Sequence, residues 1–262
     1  PAYSTLSFSL GICLFTGFPI LRMEKDDWKL RRPEAMRLLG MGVPVGLQFS
    51  ITAIGSVMLQ SAVNSLGAVC VSGVAVAGKI YMLLACPFDA LAMAATNFTG
   101  QNLGAGKPER IKPVYRDCIL TVLLIGVPMC ALLYFFGQPL LGIYIAKDDP
   151  AYASVIASGM VRVTYMGMTY FVCGIMETCC GMVRGLGRSW MPMVVTIFGA
   201  CVLRIIWIYT IFQTHHTLDV LYLSYPVSWV VTSAVHVLCF VLIYRRMMAR
   251  WNAHKEEENA SY

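Results

Sequence analysis

The chain has 262 residues, 58% of them apolar and only 13% charged, with a net charge of +6 and a mean hydropathy of +0.66. Soluble domains run nearer roughly 45–50% apolar and about 25% charged. The composition excludes a disordered chain, a disulfide-rich secreted mini-domain and a soluble nucleic-acid binder, and it leaves an integral membrane protein.

Taken in chain order, residues 1–21 carry no charge and read as a leading span. Residues 22–39, dense in basic and acidic side chains, read as an amphipathic cytoplasmic linker. Residues 38–78 are again uncharged, long enough for two crossings at about 20 residues each. The turn-like cluster Asn64-Ser65-Leu66-Gly67 divides them. The uncharged run 118–146, the run 163–203 interrupted by Glu177, Arg184 and Arg188, and the runs 205–218 and 220–244 complete the pattern. Together they predict six further spans at about 40–64, 69–99, 115–137, 159–183, 190–213 and 222–245, followed by a tail at 246–262. Runs this long and unbroken are helical, because a membrane barrel would alternate.

Basic residues set the orientation. Alternate loops (22–37, 101–114, 184–189 and the tail, with Arg116 at the edge of the second) hold 16 of the 20 Lys and Arg, while the opposite loops hold only Lys147. The positive-inside rule therefore places those loops and the C-terminus in the cytoplasm. The cysteines fall almost wholly within spans, none with metal-ligand spacing near a histidine, and read as small apolar packing residues. Neither a nucleophile triad nor a phosphate loop is present, which argues against an enzyme; no catalytic or metal site is expected.

Ionisable groups inside a membrane tend to mark pathways. Five candidates stand in the spans: Lys79, Asp89, Arg162, Glu177 and Arg204. At about 1.5 Å per residue, Asp89 lies about 18 Å and Glu177 about 10 Å from the cytoplasmic ends of their helices. Tyr170, Gly174, Glu177, Gly181 and Arg184 share one stripe at 3–4 spacing, and the two glycines would open space beside the carboxylate. Glu177 is thus the leading site for proton exchange or substrate binding, with a structural ion pair as its alternative. Asp89 follows, unless it only satisfies the kink at Pro87. Arg162 and Arg204 read as partners of carboxylates or as groups near the outer interface.

Two strings carry a family resemblance. Gly100-Gln101-Asn102-Leu103-Gly104-Ala105-Gly106-Lys107 suits a helix C-terminus and tight turn, and Arg184-Gly185-Leu186-Gly187-Arg188-Ser189-Trp190-Met191-Pro192 forms the second. With Gly42-Val43-Pro44-Val45-Gly46-Leu47-Gln48 and Leu203-Arg204-Ile205, they make the chain resemble the multidrug and toxic compound extrusion (MATE) transporters. The resemblance implies an all-α integral membrane protein. Residues 1–21 would be the end of a sixth helix, and 40–245 the six-helix C-terminal lobe of a two-lobed transporter. The chain would lack its N-terminal lobe. One branch of the family has an acidic residue in the seventh helix; here residues 38–66 hold none, and Gln48 is a polar group in its place.

The resemblance further implies secondary active efflux of drugs or other organic compounds in exchange for protons or sodium ions, with no cofactor beyond the coupling ion. Glu177, Asp89, Arg204, Gln48 and Tyr170 are the residues expected to bind cation or substrate. The implied partners are a small organic substrate, the lipid bilayer and the N-terminal lobe, not nucleic acid. The implied location is the bacterial inner membrane. A flippase for lipid-linked precursors shares the architecture and stays open as an alternative because of Lys79, Arg162 and Arg204. A non-functional truncated fragment is the other.

Overall fold

The computed structural model describes residues 31–260 together with Ile12, Thr16, Gly17 and Lys29. The leading span expected at 1–21 therefore lies almost wholly outside the described residues. The chain divides into two compact units, Pro1–Gly40 and Met41–Tyr262. Every described element is helical: α1 (Arg32–Asn64), α2 (Ala68–Gly104), α3 (Ile111–Gly142), α4 (Tyr152–Arg162), α5 (Tyr170–Gly185), α6 (Trp190–Thr196), α7 (Leu203–Tyr209), α8 (Ile211–Thr214) and α9 (Leu218–Ala260). A 3₁₀ turn, Pro108–Arg110, precedes α3. π-Helical segments at Val163–Gly167 and Ile197–Val202 follow α4 and α6.

Five stretches are long and apolar enough to cross a membrane, and the bent pair Tyr152–Gly167 and Tyr170–Gly185 makes a sixth. Each predicted span from 40 onward has its helix. The helices outrun the uncharged runs at several ends. α9 has 43 residues, about 64 Å at helical rise, against about 30 Å of hydrocarbon. Charge marks where the bilayer ends, whereas backbone hydrogen bonding lets a helix run on into water.

The two glycine-rich strings end their helices in the same way. Lys107 N–H bonds to Asn102 O and Gly106 N–H to Leu103 O; Arg188 N–H bonds to Val183 O and Gly187 N–H to Arg184 O. Both are Schellman closures. Gly106 (φ 66°) and Gly187 (φ 76°) occupy the left-handed position, where a Cβ is disfavoured. The first string is helical through Gly104, so its reversal is confined to Ala105–Lys107.

The core holds residues such as Phe88, Val122, Met166, Tyr170, Leu221, Tyr222 and Trp229. A smaller cluster of Ala95, Ile111, Met182, Val183 and Phe240 lies near the Schellman ends. Leu124, Phe135 and Ile143 are 76%, 73% and 74% exposed. Apolar side chains bare to that degree on many faces are at home in lipid, not water. The described cysteines are free thiols, with Cys130, Cys173, Cys179, Cys180 and Cys201 buried.

Candidate functional site

The span formed by α4 and α5 is broken. Its halves meet at 45° across Met168 and Thr169, and Tyr170 opens the second half. Inside a membrane, irregular backbone is tolerated where protein or a water-filled cavity covers it. Thr169 Oγ1 donates to Tyr165 O at 2.7 Å, satisfying one carbonyl at the break. Tyr170 sits edge-on to Tyr81 and Phe88 of α2 and to Trp229 of α9, with centroids 4.6, 5.1 and 5.6 Å away. The break is thus clamped by aromatic rings from two helices.

From that break α5 descends through Glu177 to Arg184. The sequence reading expects Gly174 and Gly181 to leave room beside Glu177. Instead α2 takes that room. A Cβ on Gly181 would stand 2.5 Å from the Ala92 carbonyl oxygen, and one on Gly174 would run into the Phe88 ring. The glycines serve close helix approach. Glu177 itself is half-buried and Asp89 is exposed on the surface of this unit. The ion pairs seen among the described residues, Arg31–Glu34 and Arg116–Asp117, are exposed and involve neither carboxylate. Glu177 feels the charges of Arg184 and Asp89 without touching either within salt-bridge range.

Arg184 turns instead to α1: its Nη2 donates to Gln48 Oε1 at 2.8 Å, and its Nε is buried without a partner. Gln48, buried, is the neutral polar group that meets this guanidinium. His236 of α9 lies in the field of Arg184. Its Nε2 is 3.1 Å from Thr196 Oγ1, while Nδ1 is buried without a partner. Thr178 Oγ1 is likewise unpartnered.

Arg204 occupies a second cluster. Its Nε donates to Ser228 Oγ at 2.8 Å, and its guanidinium stands 3.8 Å from the Tyr225 ring centroid and 5.7 Å from that of Trp229. Nη2 has no partner. A small cavity of about 70 Å³ separates it from Thr52, Gly55 and Ser56 of α1. Arg162 is held in a related way, donating to Val74 O at 2.9 Å between the rings of Tyr81 and Tyr222. Pairing with carboxylates was one expectation for both arginines; among the described residues, backbone, hydroxyl and π-faces hold them instead. Each adjoins a π-helical segment, a feature frequent at functional sites.

The structure therefore brings four of the five sequence candidates into two groups and leaves Asp89 exposed outside both. Gln48 and Glu177 gather around Arg184; Tyr170 joins the aromatic column that ends at Arg204. Cys173, between them, lies in the fields of Glu177, Arg204 and Asp89. The sequence reading missed the polar stripe of α9. Ser224, Ser228, Thr232 and His236 recur every four residues and are fully buried. A stripe of neutral polar residues within an uncharged run was the available signal.

The MatE family profile matches residues 44–210, over half of the chain. The chain belongs to the MatE family. Among curated relatives, the probable multidrug resistance protein YpnP of Bacillus subtilis is 26% identical over 208 residues, covering 78% of this chain and 45% of that protein. The probable multidrug resistance protein NorM of Thermotoga maritima is 24% identical over 201 residues, 73% of this chain and 42% of NorM. The chain spans about half the length of these relatives. In fold it is similar to a MATE crystallised with MaL6 (TM-score 0.83, 18% identity, 94% of this chain and 56% of that one). It is also similar to a MOP superfamily transporter from Pyrococcus furiosus (TM-score 0.81, 19% identity, 93% and 54%), whose structure is described as showing a binding pocket of reverse polarity. This MatE chain is a multi-pass membrane protein, all-α, with the fold of a MATE transporter.

Proposed function

We propose that this chain acts as one lobe of a secondary active antiporter that exports drugs or other organic compounds in exchange for protons or sodium ions. The observation that carries the reading is the broken span. A discontinuous helix at mid-membrane is the usual frame of a transporter binding site. Here it presents Tyr170 and, two turns on, a half-buried carboxylate with no ion pair. Glu177 takes and releases the coupling cation, and Gln48 and Arg184 bias its charge. Asp89, exposed on this unit, faces the path that a second, N-terminal lobe completes. Tyr170 and the rings around Arg204 supply an apolar, π-rich wall for a substrate. The names of the relatives as multidrug resistance proteins support the substrate class. The basic-loop bias supports a bacterial inner-membrane protein with a cytoplasmic C-terminus.

The test is Glu177→Gln in the two-lobed protein, assayed in vesicles with an imposed proton or sodium gradient. Gln keeps the shape and an acceptor oxygen but cannot exchange a proton. Expected are normal membrane levels, retained drug binding and gradient-driven efflux reduced by roughly tenfold or more. Undiminished efflux overturns the assignment of Glu177.

A second reading rests on the three interior arginines. Among the described residues, Arg162, Arg184 and Arg204 have no carboxylate within 4.0 Å, and that positive charge would match an anionic, phosphate-bearing substrate. The reverse polarity described for the Pyrococcus relative fits this flippase-like alternative. Uptake of a lipid-linked pyrophosphate, and not of cationic drugs, would decide for it.

A further inference from the structure

Outside the interior clusters, a groove lies at the end of the bundle where the uncharged run of α9 gives way to basic residues. One face of α9, at 3–4 spacing, supplies Ile243, Arg246, Met247, Arg250, Trp251 and His254; the opposite wall is Leu103 at the end of α2 with Leu186 and Arg188 from the turn after α5. The groove measures about 590 Å³. It is amphipathic along its length. Its upper end adjoins the uncharged run 220–244, and its lower end holds three guanidinium groups and an imidazole. Among the described residues, no Asp or Glu lines it. Neither Arg188, Arg246 nor Arg250 has a carboxylate within 4.0 Å among the described residues.

The walls are built, not incidental. Both Schellman turns contribute. Gly187 lets the chain reverse so that Leu186 and Arg188 face α9. The Trp251 ring reaches the other turn, its Cη2 3.6 Å from where a Cβ on Gly106 would stand, an ordinary van der Waals contact. Trp at this level is a membrane-interface residue. An apolar floor reaching toward hydrocarbon beneath a ring of unpaired guanidinium groups matches an amphiphile with an anionic head.

We propose that this groove binds an anionic phospholipid of the basic-side leaflet. Its phosphate is held by Arg188, Arg246 and Arg250, its glycerol and upper acyl chain lie on Leu186, Ile243 and Met247, and Trp251 closes the edge. The cluster is remote in role from Glu177, and the inference does not depend on how transport is coupled. Basic pockets between membrane helices recognise lipid headgroups by this chemistry. Bidentate guanidinium–phosphate bonding favours Arg over Lys there. All three cations lining the groove besides His254 are Arg.

The test is a titration of the detergent-purified chain with dioleoylphosphatidylglycerol, dioleoylphosphatidylcholine and inorganic phosphate, read by native mass spectrometry. Expected is retention of phosphatidylglycerol at least roughly tenfold tighter than of phosphatidylcholine, with phosphate too weak to compete. Arg246→Gln and Arg250→Gln should each weaken phosphatidylglycerol about 5-fold. Arg245→Gln, which removes the same charge from the neighbouring position outside the groove, should change it less than about 2-fold. A second measurement needs no arginine variant. Phosphatidylglycerol brominated near its headgroup should quench tryptophan fluorescence, and Trp251→Phe should abolish most of that quenching. Equal binding of the two lipids, equal loss in Arg245→Gln, or full competition by phosphate each overturns the proposal: the first removes selectivity, the second reduces it to net charge, and the third makes it a free-anion site.

Discussion

Arg184, in the last turn of α5, and Arg204, inside its span, are both half-buried arginines, yet their surroundings differ in kind. Arg184 holds an amide of α1, leaves its Nε without a partner, and lies in the field of the half-buried Glu177 and of His236. Arg204 lies flat against Tyr225, bonded to Ser228 of the same helix, with Trp229 beyond. The first is a set of groups with more hydrogen-bonding capacity than bonds among the described residues. The second is a cation fixed by two π-faces and one hydroxyl. One bundle can thus carry a responsive centre and a rigid one on neighbouring helices, separated by the aromatic column that starts at Tyr170.

That contrast can be broken experimentally, and the largest effect is expected at Arg184. Arg184→Met strips Glu177 and Gln48 of their cation and should lower stability by about 3 kcal/mol. Thermal unfolding in detergent reads this. Adding Glu177→Gln should restore about 1 kcal/mol or more, a coupling that the double-mutant cycle isolates. Simple additivity would mean that the two groups do not sense each other.

Next is Gly181→Ala, where the added methyl meets the Ala92 carbonyl. Overpacking there should cost about 2 kcal/mol and move α5, with Glu177, away from α2. If the unfolding midpoint is unchanged, the close approach of these helices does not position the carboxylate. Arg204→Met should cost about 1–2 kcal/mol through its lost hydroxyl and ring contacts, and Glu177→Gln should not rescue it. A rescue would join the two centres into one network. The smallest effect is expected for Gly187→Ala, three residues past Arg184. A left-handed alanine costs about 1 kcal/mol. The loss should appear as fraying of the α5 end in amide exchange while protection around Arg204 stays the same.

Much of the fold is legible from the order of residues. The uncharged runs from 40 onward each become a membrane helix, because hydrocarbon admits no charge without cost and every backbone group must be bonded internally. Glu177 stands out by the same logic, as a carboxylate where one is expensive. Partner choice is not legible. The spacing that sets Gly174, Glu177 and Gly181 on one stripe is the same whether the glycines make a cavity or admit a helix, and only the position of α2 decides. The neutral stripe Ser224, Ser228, Thr232 and His236 escaped notice for a related reason. A neutral polar residue in a span is cheap enough to be incidental until a guanidinium or hydroxyl from another helix is set against it.

By itself, then, the sequence determined that this chain is helical, which stretches are long and apolar enough to cross a membrane, and where the two glycine strings turn it, since all of these follow from local hydropathy, charge and backbone freedom. The tertiary structure alone decided that Arg184 meets Gln48, that Arg204 and Arg162 rest on rings instead of carboxylates, that the fourth span breaks before Tyr170, and that two distant turns join α9 in one basic groove. Those outcomes depend on which helices become neighbours, and neighbours are chosen by packing over separations of up to 150 residues in the chain, a distance at which residue spacing carries no information.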